Sequence, residues 1–579
     1  MRLPAQRSVV VRRAGGAGIP AGLRGIDPLL ARLYASRGVV AADELDYGLA
    51  HIAPVGGLEN VDAAVDLLLA MRSGKIIVIG DFDVDGATST ALMLRSLEAF
   101  GFGDVDYLVP NRFRFGYGLT PDIVRVAAQR GPSLIVTVDN GISSAAGVRE
   151  ARNSGIAVLI TDHHLPGPDV PDADVIVNPN LPGSRFPSRN LAGVGVAFYV
   201  MAALGRRLEQ DGMAGAAKVP ARFLDLVAVG TVADVVPLDY NNRILVKQGI
   251  DRIRAGRTVA GIRALLECAG RESSRTVSGD LGFAVGPRLN AAGRLEDMAL
   301  GIDCLLTDDP AVAARHAQVL DDINRQRREI ESTMREQAFA YVDSMHRRDW
   351  PACVCVFDPD WHQGIVGLIA ARVRERCHRP VVAFAPDSDG LLKGSMRSVP
   401  GIHARDLIEA VSGTHPGLVV RFGGHAMAAG LTIATRDHEA FAGAIAAQVG
   451  RLYPEADFSG AIVADGVLTA EAVDRFGGFL PLAKGLRDAG PWGSGFPEPV
   501  WVGDFQVLEQ RTVGQGHAKL RVRALDGGVP VDAIAFNQST PRQRGPVQLA
   551  FRLDVNRYAG SETAQLVVEQ IAGVTAHGT

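Results

Sequence analysis

The sequence predicts an α/β protein built on a parallel sheet, followed by a smaller second α/β domain and a terminal β-barrel. Three observations carry that expectation. Between about residues 75 and 165, short β-branched runs alternate with helical patterns, and continuous apolar strands alternating with helices mark a parallel sheet covered on both faces. The same texture restarts near 352 with ACVCVFD, IVGLIAARVRERC and PVVAFAP. From about 500 the chain reads as strands and turns without long helices, the pattern of a small barrel.

The elements follow in order. Residues 1–70 read as a helical lead-in through LLARLYASRG and VDAAVDLLLAMRSG. KIIVIGDFDVDG is a strand ending in acids and glycine, and ATSTALMLRSLEAFG is a helix closed by Gly101. DVDYLVP is a second strand. LTPDIVRVAAQRG is a helix with Thr120 as N-cap and Pro121 at its first position. SLIVTVDNG and IAVLITDHH are the third and fourth strands, with SAAGVREARNSG as a helix between them. NLAGVGVAFYVMAALG, residues 190–205, is uncharged but too short to span a membrane, and reads as a buried helix. Apolar positions recur at helical spacing over 311–345, a helix of about 50 Å at 1.5 Å per residue. The expected divisions are 1–70 for the lead-in, 71–310 for the first α/β domain, 311–350 for the linking helix, 351–455 for the second α/β domain and 456–579 for a linker and the barrel.

Composition removes several classes of function. With 579 residues, 47% hydrophobic, the chain is long enough for three or four domains with real cores, which excludes wholesale disorder. Lys and Arg total 60 against 64 Asp and Glu. That balance excludes a globally basic nucleic-acid binder and leaves room for a local basic groove. Five cysteines without a CxxC pair make neither a disulfide framework nor a zinc ribbon, and fit a reducing cytoplasm. The first twenty residues, MRLPAQRSVVVRRAGGAGIP, lack the apolar core of a secretion signal.

Polar residues gather where the strands end. Asp81, Asp83 and Asp85 follow IIVI, Asp139 and Asn140 follow LIVTV, and Asp162, His163 and His164 follow VLIT. In open parallel sheets the site lies beyond the carboxyl ends of the strands, so three strands aim acids and imidazoles at one rim. In GDFDVDG, a continued strand would point the three carboxylates to one side, where only a cation could neutralise them. The DxDxDG spacing also matches a calcium loop, but a strand precedes it and Leu92 occupies the position that needs Glu. Asp234, within GTVADVV, stands in an apolar helical run, where a carboxylate is costly unless paired or metal-bound. Together these groups form the donor inventory of a two-metal hydrolase, and the absence of thiolate favours Mn or Mg.

Further motifs suit a nucleic-acid backbone. GPRLNAAGRL (286–295) sets Arg288, Asn290 and Arg294 among small residues, a composition that can grip phosphate. WHQGIVG, KGSMRS and FGGHAMAAG place Trp361, Ser395, Arg397, Gly423, Gly424 and His425 in glycine-rich surroundings, with Trp361 a candidate for base stacking. Lys519 and Arg521 lie in the barrel region.

GDFDVDG, VTVDNGIS, TDHH, GTVADVVPL and PRLNAAGRL, in that order, resemble the DHH phosphoesterase superfamily. WHQGIVGLIAARV, KGSMRSVPGIHARD, FGGHAMAAGL and RLDVNRYAGSETAQLVVEQI resemble its branch of bacterial single-strand-specific 5′→3′ DNA exonucleases. The resemblance runs from about residue 70 to the C-terminus and implies a DHH domain, a DHH-associated domain and an OB-fold barrel. It implies that Asp81, Asp83, Asp139, His163 and Asp234 bind two Mn²⁺ or Mg²⁺ ions. By the same resemblance Asp85 supports the site, Asp162 orients the histidines and His164 faces the scissile phosphate. It also implies that Arg288, Asn290 and Arg294 grip phosphate, and that the GGH motif holds nucleic acid. The implied activity is hydrolysis of single-stranded DNA to 5′-mononucleotides in recombination and repair. Single-strand-binding protein and a helicase would be partners, no membrane is involved, and a monomer is the default. Two rivals follow from the same core: a small-substrate oligonucleotide or cyclic-dinucleotide phosphodiesterase, and a non-catalytic replication scaffold. The length beyond the first domain argues against the former, and the complete ligand set against the latter.

Overall fold

A computed structural model describes residues 9–11, 18–111, 115–167, 169–346, 350–388, 390–514, 516–536, 538, 545–558 and 560–573. Most of the amino-terminal segment read for a secretion signal therefore lies outside the described residues. The chain divides into two compact units: 1–287, 298–317 and 461–579 form the first, 288–297 and 318–460 the second.

A five-stranded parallel sheet organises the first unit. Its order is Val105–Leu108, Ile76–Ile79, Leu134–Val138, Ala157–Thr161 and Val175–Val177. Every residue of Ile76–Ile79 and Leu134–Val138 is buried, which is why these strands read as unbroken apolar runs. The edge strand Val175–Val177 was not expected, because three residues are too few to register as a run. The helix Leu224–Asp234 crosses the helix Val84–Ala99 closely: a Cβ on Gly230 would stand 2.3 Å from Thr88 Oγ1. The uncharged stretch 190–205 supplies most of the helix Gly193–Gln210, buried from Gly193 to Gly205. No helix among the described residues is long and apolar enough to cross a membrane.

The same unit contains a closed five-stranded barrel. Trp501–Val513, His517–Ala524, Val531–Ala535, Ser561–Gly573 and Pro546–Tyr558 pair in that order, and the last closes on the first. Closure satisfies the strand edges that an open sheet would expose. Phe505 and Phe551 meet edge-to-face at 5.5 Å inside it. Leu29 and Leu33, from the helix Pro28–Ala35, belong to the same core. Arg37 pairs with Asp465 at 2.8 Å with both side chains almost fully buried, and Val9–Val11 pairs in parallel with Ile462–Ala464. The first half of the lead-in thus packs against the barrel, while Asn60 of its second half donates to Ile176 O at 2.8 Å on the parallel sheet.

The helix Pro310–Ser344, 35 residues long, starts in the first unit and enters the second. The sheet of the second unit runs Arg421–Gly424, Ala428–Ala434, Leu391–Arg397, Val381–Pro386 and Val354–Phe357, antiparallel except for the last pair. Apolar clusters that include Phe384, Leu407 and Phe441, and Val356, Ile369 and Ala383, form its core.

Phe551→Ala should destabilise the barrel by about 3–5 kcal/mol, because it opens a cavity in a closed core. Thermal unfolding of the variant should show a lowered transition, and an unchanged midpoint would contradict the shared core.

Candidate metal centre

Four backbone segments deliver the acids and imidazoles. The strand Ile76–Ile79 stops before Asp81, and the helix Val84–Ala99 begins with Asp83 as its N-cap, Oδ1 accepting from the Gly86 N–H at 3.0 Å. GDFDVDG is therefore a strand-to-helix turn, and the expectation that a continued strand would align its three carboxylates is corrected. Gly86 is required by close approach, since a Cβ there would stand 2.5 Å from the Asp81 nitrogen. Asp85 lies in the first helical turn. Its Oδ2 accepts from the Gly193 N–H at 2.6 Å and its Oδ1 from the Val194 N–H at 2.9 Å. These donors are the amino-terminal amides of the helix Gly193–Gln210, where the helix dipole favours an anion.

Asp139 follows the strand Leu134–Val138 with φ +62, a conformation that Asp tolerates better than most side chains. Asn140 holds that turn by donating to Ile79 O at 3.0 Å and Val138 O at 2.9 Å. A Cβ on Gly193 would stand 2.6 Å from Asp139 Cβ, so the helix terminus fits only as glycine. Asp162 has both carboxylate oxygens engaged. Its Oδ2 accepts from the Ile142 N–H at 2.9 Å, and its Oδ1 accepts from the backbone amides of His163 and His164 and lies 2.7 Å from His164 Nδ1. Asp234 ends the helix Leu224–Asp234, and Val235 turns the chain with φ +64.

These segments bring three donor groups together, each within 4.8 Å: Asp81, Asp83 and Asp139; Asp85, His163 and Asp234; and Asp139, His163 and His164. His163 Nε2 lies 3.1 Å from Asp139 Oδ1 and 3.6 Å from Asp234 Oδ2. All three atoms are buried without hydrogen-bond geometry to any described partner. Burial, then the Asp85 charge, push Asp139 well above the usual carboxylate range. Burial, reinforced by neighbouring carboxylates, lifts Asp85 and Asp234 to about 7. Burial pushes His163 down, so it stays neutral and able to donate a lone pair. His164 behaves oppositely: burial opposes its charge, but the Asp162 carboxylate outweighs it and raises the imidazole to about 9.

This arrangement fits divalent cations. Buried carboxylates that repel one another and lone pairs without donors are what a dication would neutralise. Carboxylate oxygen with neutral imidazole and no thiolate suits Mn²⁺ or Mg²⁺. Tyr117 escaped the sequence reading. Its Oη lies 3.3 Å from both Asp139 O and His164 Nε2, and its ring meets Phe82 edge-on at 6.1 Å. It follows the second strand, so its place beyond a strand end on the same rim was the available signal.

The other expected residues stand elsewhere. Arg288 is buried in the helix Gly286–Leu295, 2.7 Å from Asp321. Asn290 is on the same helix, and Arg294 donates to Gly364 O at 3.2 Å. Trp361 is corrected as a base-stacking residue: it is 5% exposed, sits in an apolar cluster and donates its indole N–H to Gln337 at 2.9 Å. In the second unit, Ser395 accepts from Arg397 at 2.9 Å. Ser395, Gly430 and Gly423 pair across neighbouring strands, and Gly424 and His425 lead into the turn that follows. Lys519 and Arg521 lie on a barrel strand, 3.7 and 3.0 Å from Asp532.

A rim of buried carboxylate and neutral imidazole beyond a parallel sheet defines a metal-dependent phosphoester hydrolase. Comparison with known proteins agrees. Residues 75–231 match the DHH family N-terminal domain, 350–450 the DHHA1 domain and 465–570 the RecJ OB domain. The chain is 49% identical over 558 residues to the single-stranded-DNA-specific exonuclease RecJ of Escherichia coli K12, covering 94% of this chain and 96% of that one. It is 30% identical to the protein of the same name from Bacillus subtilis, covering 94% and 68%. The crystal structure of RecJ in complex with Mn²⁺ from Thermus thermophilus superposes with TM-score 0.79 at 29% identity, covering 99% of this chain and 79% of that one. The corresponding Mg²⁺ complex superposes with TM-score 0.74 at 27% identity, covering 99% and 78%. The chain belongs to the RecJ family.

Asp162→Asn should remove the charge that holds His164 cationic. The alkaline limb of the activity profile, expected near pH 9, should then move toward pH 6.5, because the imidazolium is lost at a lower pH. A limb that stays in place would show that His164 does not govern it.

Proposed function

We propose that this chain is a single-stranded-DNA-specific exonuclease that cleaves phosphodiester bonds at the Asp81–His163–Asp234 rim. The observation that carries the reading is the set of donor groups meeting on one buried rim, where lone pairs of Asp139, His163 and Asp234 meet no donor among the described residues. Asp81, Asp83, Asp139, His163 and Asp234 are the proposed ligands of two divalent ions. Bound Mn²⁺ or Mg²⁺ would supply Lewis acidity and lower the pKa of the attacking water.

The chain's own residues do the rest. Asp85, held by two helix amides, fixes the position of the helix terminus beside Asp139. Asp162 keeps His164 cationic and oriented, so that its Nε2 side can offset negative charge developing on the phosphate. Tyr117 Oη, within reach of that same nitrogen, limits where the imidazole can turn.

Arg288, Asn290, Arg294, Ser395, Arg397, Gly423, Gly424, His425, Lys519 and Arg521 are the proposed contacts to the strand. The proposed course is 5′→3′, releasing 5′-mononucleotides in recombination and repair. A single-strand-binding protein and a helicase are proposed partners, with action as a cytoplasmic monomer.

Digestion of single-stranded oligonucleotides labelled at either end, with Mn²⁺ or EDTA, tests the reading. Immediate release of a 5′-labelled mononucleotide, only with metal and not from a blunt duplex, is expected. Asp139→Ala and His163→Ala should lower the rate by at least about 10³-fold while strand binding survives, and rates near wild type would remove both from the ligand set.

Lys519→Glu combined with Arg521→Glu should weaken strand binding about tenfold or more and flatten its salt dependence. Unchanged affinity would remove the barrel face from the strand's path. This pair is preferable to deleting the barrel, whose core includes Leu29 and Leu33.

A further inference from the structure

One large apolar side chain stands out in water beside the metal centre. Phe283 is 81% exposed, on a π-helical turn, Leu281–Val285, that leads into the helix Gly286–Leu295. Leu281, Ala284 and Val285 of that turn are buried, so the segment is anchored and only Phe283 is turned out. Single π-turns widen a helix and re-aim a side chain, and they occur frequently at functional sites.

The turn lies against the helix that ends in Asp234. A Cβ on Gly282 would stand 3.3 Å from Val232 Cγ1, and one on Gly286 would stand 3.5 Å from Ala233 Cβ. Phe283 therefore projects from a segment packed on the last turn before a proposed metal ligand. Val235, immediately after Asp234, is itself 66% exposed and held at φ +64, a rare conformation for a β-branched residue. On the His164 side, Tyr117 (48% exposed) and Leu165 (55%) also face solvent. An acidic centre is thus bordered by exposed apolar and aromatic surface.

Resting on the exonuclease reading, we propose that Phe283 is a stacking platform for an unpaired base of the strand entering the centre. The chemistry favours a base over other occupants. The platform is a single ring beside a site whose substrate carries flat π-faces, and an aromatic ring stacks on any base without reading its sequence. An unpaired base can turn one face to the ring, whereas a base inside a duplex already has a neighbour on each face. Phe283 would thereby position the end of the strand by its bases, where carboxylates repel its phosphates, and would contribute to the preference for single strands.

The test pairs a variant with a modified substrate. Steady-state digestion in Mn²⁺ should show Phe283→Ala raising KM about tenfold, with a much smaller effect on kcat, and Phe283→Trp close to wild type. A set of oligonucleotides with one abasic site stepped along the first nucleotides should contain one member that raises the wild-type KM to the same extent. On that member Phe283→Ala should cost nothing further. A 2-aminopurine at the same position should be quenched on binding in EDTA by the wild type and by Phe283→Trp, and less by Phe283→Ala. An unaltered KM for Phe283→Ala, or an equal loss on intact and abasic substrates, would overturn the platform. Failure of the wild type to cut any single strand would instead overturn the exonuclease reading, and the quenching in EDTA would then decide the platform alone.

Discussion

Mutual repulsion among buried and half-buried carboxylates is the constraint on which this molecule depends. Asp81, Asp83, Asp85, Asp139 and Asp234 meet at one sheet rim, and burial lifts Asp85 and Asp234 to about 7 and Asp139 well above the ordinary carboxylate range. Such a cluster is tolerable only where fixed dipoles and bound cations offset it. The fold supplies the dipoles, through the terminal amides of the helix Gly193–Gln210 that hold Asp85. Divalent ions would supply the charge.

Close backbone approach sets where these segments can lie. Gly86 lets the turn pass against Asp81, Gly193 lets a helix begin against Asp139, and Gly230 seats the Asp234 helix on Thr88. At each place a methyl group would meet backbone or a fixed side chain at under 3 Å. Asn140 and Asp162 work from behind the ligands: one ties adjacent strand ends together, the other gathers three backbone amides and an imidazole. The two histidines consequently take different states. His163 is lowered and neutral, suited to ligation, while His164 is raised to about 9 and suited to meeting negative charge.

The barrel is bound to its unit by shared core. Leu29 and Leu33 pack with Phe505, Phe551 and Leu566, although the two stretches are more than four hundred residues apart in the chain. The buried Arg37–Asp465 pair adds a directional link, and Arg275 reaches Glu562 at 2.9 Å on the barrel strand Ser561–Gly573. A strand-binding surface on the barrel would therefore be tied to the first unit by the packing of Leu29 and Leu33 and by these ion pairs.

Much of this was legible in the sequence because it depends on local pattern. Apolar runs that end in acid or imidazole reveal strands and their rim, since burial on both faces demands uninterrupted Val, Ile and Leu. The order of GDFDVDG, VDNG, TDHH and GTVADVV therefore marked the candidate donors and the family. Other features were decided by tertiary contacts between residues distant in sequence, which no local pattern encodes. Trp361 looked available to a base but is sealed by Gln337 and its apolar neighbours. Tyr117 carried no motif in the sequence and stands beside His164. Asp85 and Asp162 look like the proposed ligands in sequence, but each has both carboxylate oxygens taken up by backbone amides. By itself the sequence determined which side chains could hold a metal and where the strands would deliver them. Only the tertiary structure decided which of them face one another, because that choice rests on packing at ångström range.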